Sequence, residues 1–164
     1  MPKYTQKYTL IMPLEPLAAG IEYASTNWPL HITLADTFAI DWEKDGLREQ
    51  LANLLVSRRP VTAVASHDEW FGAQQHTQVT ILTMSSELIS LHNDVVTFLE
   101  KHGAVFNNPE YHKDGYRAHA TVQSHKRVTE GETITCSTVA LIDMFPHGDP
   151  YQRAVLALMP LMNS

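Results

Sequence analysis

The feature that most constrains this chain is a pattern of alternation that occurs twice. In Leu30-His31-Ile32-Thr33-Leu34 and again in Ala118-His119-Ala120-Thr121-Val122, apolar residues alternate with one histidine and one threonine. On a β-strand, residues i and i+2 project to the same face. Each pentapeptide, read as a strand, therefore turns three apolar groups toward a core and presents an imidazole and a hydroxyl together on the other face. A bare His-x-Thr is weak evidence, because a chain of 164 residues with nine histidines produces about one by chance. Two copies with apolar residues at all three flanking positions are expected only on the order of a few times per thousand such chains.

The flanking sequence supplies elements to carry these strands. Tyr4 to Met12 is rich in β-branched and aromatic residues and stops at Pro13, which predicts a first strand. Leu14 to Ser25 reads as a short helix or irregular turn, and Leu30 to Thr37 as a strand entered through Trp28-Pro29. Leu47, Leu51, Leu54 and Leu55 form the apolar stripe of a helix within Asp41 to Arg59, with Asp41 or Asp45 as its cap. Val61 to Ala65 and Gln78 to Met84 read as paired strands separated by a loop containing Gly72. A second helix is capped by Ser85 or Ser86, carries Leu88, Leu91, Val95, Phe98 and Leu99 on one face, and ends at Gly103. Ala104 to Phe106, Tyr116 to Gln123, Thr133 to Met144 and Arg153 to Leu161 are the remaining strand candidates, with turns at Asn107 to Glu110 and Pro146 to Pro150. Each half thus holds one long helix, several strands and one His-x-Thr, the histidines lying 88 positions apart. The expectation is a single domain over 1–164 with approximate lobes 1–84 and 85–164.

Composition narrows the partners. With 44% apolar and 18% charged residues the chain can build a core. A net charge of −6 counts against tight nonspecific binding of long nucleic acid, which needs many Lys and Arg contacts to phosphate. A small anionic substrate needs only local cations, and Lys113, Arg117, Lys126 and Arg127 lie near the second tripeptide. The lone Cys136 has no disulfide partner in the chain, the first residues lack a signal-peptide apolar region, and no run has the length of a membrane span. A cytoplasmic monomer with no membrane contact is expected.

Two imidazoles and two hydroxyls suit phosphodiester cleavage. The reaction needs a base for the attacking oxygen, an acid for the leaving oxygen, and donors for the charge on the phosphoryl oxygens. An unperturbed pKa near 6.5 lets one ring be neutral and the other cationic around neutral pH, so neither metal nor cofactor is required.

The two pentapeptides resemble the paired motifs of the two-histidine (2H) phosphoesterases, the superfamily of 2',5'-RNA ligase-like proteins and cyclic phosphodiesterases. The resemblance implies an α+β bilobal fold of two antiparallel sheets with flanking helices, related by a pseudo-twofold axis, with the active-site cleft between the lobes. It also implies that His31 and His119 are the acid and base and that Thr33 and Thr121 bind phosphate. Its substrates would be 2',3'-cyclic phosphates, 2',5'-linked oligonucleotides or cyclic oligonucleotides, and a nucleotide- or RNA-binding module without turnover is the alternative.

Further contacts follow from position. Arg117 shares the face of His119 and Thr121 by alternation. Tyr4, Tyr8, Trp28, Trp70, Phe71, Tyr111 and Tyr116 are rings available for base stacking. Tyr116 and Trp70 are preferred, Tyr116 because it leads into the second motif and Trp70 because it falls in a polar stretch. His67-Asp68 is a weak metal pair, for want of further ligands. No glycine-rich phosphate loop and no Gly-x-Ser-x-Gly elbow is present.

Overall fold

The computed structural model describes residues 6–162. Its strands, in chain order, are β1 (Lys7–Pro13), β2 (Glu22–Ala24), β3 (His31–Ala39), β4 (Val61–Phe71), β5 (Thr77–Met84), β6 (Val105–Phe106), β7 (His119–Thr121), β8 (Thr133–Cys136), β9 (Thr138–Asp143) and β10 (Gln152–Pro160). Its helices are α1 (Lys44–Leu55) and α2 (Ser86–Lys101). The part of the expected first strand at Tyr4 and Thr5 lies outside the described residues, as does Tyr4 as a candidate ring.

Instead of two sheets, the strands form one antiparallel sheet in the order β2-β10-β9-β1-β3-β7-β5-β4-β8, with β6 paired to β3. The reason lies in the motifs themselves: β3 and β7 pair with each other at Ile32 and Ala120. That single rung joins a β2-β10-β9-β1-β3 arm to a β7-β5-β4-β8 arm, and each half of the sequence supplies strands to both arms.

Both helices cover one face. Leu47, Leu51 and Leu55 of α1 and Leu88, Leu91, Val95 and Leu99 of α2 share one core with Leu30, Ile32, Leu34, Ala118 and Ala120. Each such buried leucine contributes about 1.5–3 kcal/mol. On the other face, Ile11, Ala140, Ile142 and Val155 make a smaller cluster, roofed by Leu17, Tyr23 and Trp28 from the segment between β1 and β3.

Local departures from the sequence reading have local causes. α1 has Glu43 at its cap position with no side-chain cap bond, and Asp45 instead lies in the first turn, where its charge complements the helix dipole. α2 is capped by Ser85, whose hydroxyl accepts the Leu88 N–H. Ser66 to Phe71, read as loop, is strand, because a bulge between Ala65 and His67 lets β4 continue its ladder with β5. The stretch Thr133 to Met144, read as one strand, breaks at Ser137 because its two parts serve opposite arms: β8 pairs with β4, while β9 pairs with β1 and β10. β2 is three residues long and exists by pairing with β10, a long-range partnership with no local periodic signal.

Candidate active site

The Ile32 and Ala120 rung sets the geometry. Continued by one residue each way in an antiparallel register, it puts His31 opposite Thr121 and Thr33 opposite His119. Ile32 and Ala120 are fully buried on the helix side, while all four polar residues are half-buried on the other. Directly opposed side chains have Cβ atoms roughly 4.5–5.5 Å apart, and diagonal ones such as His31 and His119 roughly 7–8 Å. The four groups therefore form a crossed quartet on two adjacent strands, with each hydroxyl beside the imidazole of the other motif.

Both imidazoles are held by the same device. His31 Nδ1 bonds the Pro29 carbonyl at 2.7 Å, and His119 Nδ1 bonds the Arg117 carbonyl at 2.7 Å. A carbonyl only accepts, so in each ring Nδ1 carries the proton, and in the neutral ring Nε2 keeps its lone pair. Burial lowers the pKa of His31 below its ordinary value; the Pro29 bond opposes this, the His119 charge adds to it, and Glu15 opposes it. His119 is lowered too, first by burial, against its Arg117 carbonyl bond, with the Arg117 charge adding and Asp36 opposing.

Aromatic rings flank the pair, one on each. Trp28 lies 5.1 Å from the His31 ring, and Phe71 meets His119 edge-on at 4.9 Å. An arginine lies over each flanking ring, Arg153 at 5.7 Å from Trp28 and Arg117 at 5.5 Å from Phe71.

A family model described as the 2'-5' RNA ligase superfamily matches residues 7–141. The chain belongs to the 2'-5' RNA ligase superfamily. It is therefore a member of the 2H phosphoesterases. Among solved structures it is similar to one titled a phosphoesterase (19% identity, TM-score 0.56, covering 96% of this chain and 98% of the other). It is also similar to E. coli LigT in complex with NADP+ (17% identity, TM-score 0.57, 98% and 99%) and to TT0787 of Thermus thermophilus (14% identity, TM-score 0.55, 95% and 97%). No curated protein matches the chain.

Within this 2'-5' RNA ligase superfamily member, the other residues singled out from sequence fall as follows. Arg117 does share the His119 face, but its guanidinium is engaged with both carboxylate oxygens of Glu69, at 3.2 and 2.7 Å. Tyr116 is not a surface ring: it is 8% exposed and its hydroxyl donates to the Thr33 carbonyl at 2.7 Å. Trp70 is exposed, yet it pairs with Gln78, while Glu69 and Val79 share the rung that continues to Thr121. Alternation therefore turns Trp70 to the face opposite the quartet and turns its neighbour Phe71 toward it. The same rule separates His67 from Asp68, so they do not converge as a metal pair, and no cluster of three His, Cys, Asp or Glu suited to a metal occurs among the described residues. Lys113 pairs with Glu100 and Arg127 with Asp68.

Nothing local in the sequence marks Glu15. Its carboxylate accepts the Leu30 N–H, one residue before His31, and contacts His125 Nε2 at 2.7 Å, four residues after Thr121. One side chain thus ties together the entry to one motif strand and the exit from the other. No helix among the described residues is long and apolar enough to cross a membrane.

Proposed function

We propose that this chain is a metal-independent phosphodiesterase acting on a nucleotide or RNA-derived phosphodiester, with His31 and His119 as its acid and base and Thr33 and Thr121 as its phosphate ligands. The observation that carries the reading is the crossed quartet with both Nδ1 protons anchored on backbone carbonyls. In the reaction, one Nε2 takes the proton of an attacking hydroxyl or water as its oxygen bonds to phosphorus. The other Nε2, protonated, gives its proton to the departing ribose oxygen as that P–O bond breaks. The threonine hydroxyls donate to the phosphoryl oxygens between them, each hydrogen bond to the anion contributing about 1.5–3 kcal/mol. Proton count is conserved, the two rings exchanging roles in the reverse direction.

A short substrate fits best. Three of the cations near the second motif are already neutralised by Glu69, Glu100 and Asp68, in a chain of net charge −6. Long duplexes bind through uncompensated cations. E. coli LigT was crystallised with 3'-AMP, ATP and NADP+, which supports a ligand of one or two nucleotides here. A 2',3'-cyclic phosphate, a 2',5'-linked dinucleotide or a cyclic oligonucleotide is the substrate class.

The test is a panel of those three substrates with wild type and His31→Ala/His119→Ala, each with and without chelator. Turnover of at least one substrate that survives chelation and is lost in the double variant supports the reading. Saturable binding without product would make the chain a nucleotide-binding module instead.

A further inference from the structure

Along the edge of β3 that faces β7 and β6, a strand partner is missing. β3 meets β7 only at Ile32 and meets β6 only at Phe38 and Ala39. Between these points a bulge toward β1 leaves Leu34 as the extra residue of β3, since Ile11 pairs with Thr33 but Leu10 with Ala35. Backbone groups in such a gap are buried and must find partners elsewhere.

Side chains take the place of the strand. Tyr116 donates its hydroxyl to the Thr33 carbonyl at 2.7 Å, and His92 of α2 bonds the Leu34 carbonyl through Nδ1 at 2.7 Å. His112 Nε2 accepts the Asp36 N–H at 3.2 Å, and the Thr37 carbonyl is met by the Asn107 N–H at 2.9 Å. The three rings form a column that spans the gap. His92 stacks on Tyr116 at 3.7 Å and 4°, and His112 lies parallel to His92 at 5.7 Å and 5°. Phe106 of β6 closes the far end, 4.3 Å from His112. His92 is further fixed by the Lys113 N–H donating to its Nε2 at 2.9 Å. The segment between β6 and β7 turns tightly to deliver His112 and Tyr116, and at Gly115 a Cβ would collide with the Glu110 carbonyl.

We propose that Tyr116 and His92 are positioning residues for the candidate active site: they hold the unpaired stretch of β3 and thereby set the direction of Thr33 and of His119, which the register of the Ile32 and Ala120 rung places opposite it. The inference rests on the phosphodiesterase reading of that site, but the geometry it concerns is measurable without turnover. Both side chains are buried, Tyr116 within the main core and His92 on α2. Thr33 carries the phosphate-binding hydroxyl on one side of its Cα and the carbonyl bonded by Tyr116 on the other.

The experiment compares wild type with Tyr116→Phe, which keeps the ring stack and loses one hydroxyl, and with Thr83→Val, which removes a hydroxyl-to-carbonyl bond to Val64 elsewhere in the sheet. The readouts are thermal stability, inorganic phosphate affinity by NMR titration, and the Thr33 amide and His119 imidazole resonances. Tyr116→Phe is expected to weaken phosphate by about 5- to 20-fold and to move both resonances, while Thr83→Val changes stability alone. His92→Leu is expected to do the same as Tyr116→Phe, and His92→Asn, whose amide nitrogen stands near the position of Nδ1, to recover most of the affinity. Phosphate affinity and resonances in Tyr116→Phe matching those of Thr83→Val would overturn the proposal. A wild type that neither binds phosphate nor cleaves any phosphodiester would overturn the functional reading instead, and the Thr33 and His119 resonances of the two variants would then decide positioning on their own.

Discussion

Ile32 and Ala120 face each other across the one rung that joins β3 to β7, and this apolar pair brings the two His-x-Thr tripeptides into a single site. Neither residue has polar chemistry of its own. Their pairing sets which hydroxyl stands beside which imidazole, and it makes the motifs neighbours in a ladder.

The direction of the two imidazole shifts determines how rate depends on pH. On the proposed mechanism this pair works with one ring neutral and one protonated, and burial lowers both His31 and His119 below the ordinary value. In the free enzyme the doubly neutral form therefore dominates at neutral pH. The profile of kcat/KM, which reports the free enzyme, is expected to peak on the acid side of about 6.5 and to fall as pH rises through 7 and 8. A plateau extending to pH 8 would contradict this.

Phe71 and Trp70 are adjacent in sequence and belong to opposite faces. Phe71 packs on the His119 ring, a contact of a kind worth about 0.5–1.5 kcal/mol. Phe71→Ala is expected to lower kcat/KM by about 3- to 10-fold and Trp70→Ala to leave it within about twofold. Steady-state kinetics on the two variants checks this.

Glu15 holds the Leu30 N–H at the entry to β3. Glu15→Ala leaves that buried donor without its acceptor and is expected to destabilise the protein by about 1–3 kcal/mol. Glu15→Gln keeps an oxygen for the same N–H and is expected to recover most of that loss. Urea titrations of the two variants at neutral pH measure both.

Buried histidines make stability depend on pH. The His92 pKa is lowered to about 4, chiefly by burial, against its bond to the Leu34 carbonyl and with the His112 and Lys113 charges adding to the shift. The unfolded chain protonates this group near 6.5 while the folded chain does not, so the unfolded state binds more protons between those values. Stability is fully present above about 6.5 and declines as pH falls toward 4, by up to about 3 kcal/mol for His92. His31, His112 and His119 are shifted the same way and add to the slope. Calorimetric melting from pH 7.5 to 5 should show the decline, reduced in His92→Asn.

Local alternation makes much of the site readable from the chain alone. The flanks Leu30, Ile32, Leu34, Ala118 and Ala120 are in the core, and His31, Thr33, His119 and Thr121 project the other way. The helical stripes are equally legible, because Leu47, Leu51 and Leu55, and Leu88, Leu91, Val95 and Leu99, repeat at the period of the helix. What the sequence conceals depends on long-range register. The bulge at Ser66 extends β4 and decides that Phe71, not Trp70, reaches the quartet. The division of residues 133–143 between two arms depends on which strands they meet. Tyr116 reads as a free ring beside the motif because nothing local reveals the partner missing from β3, which its hydroxyl replaces.

The central claim, that His31 and His119 work as one unit in a crossed quartet, is tested most directly by the rates of His31→Ala, His119→Ala and the double variant on a 2',3'-cyclic nucleotide. Each single substitution is expected to cost about 10²- to 10⁴-fold in kcat. The double variant should then cost little more than the worse single one, because groups that act together are not additive. A double variant whose loss is the product of two modest single losses, or one that retains wild-type turnover, would contradict the account.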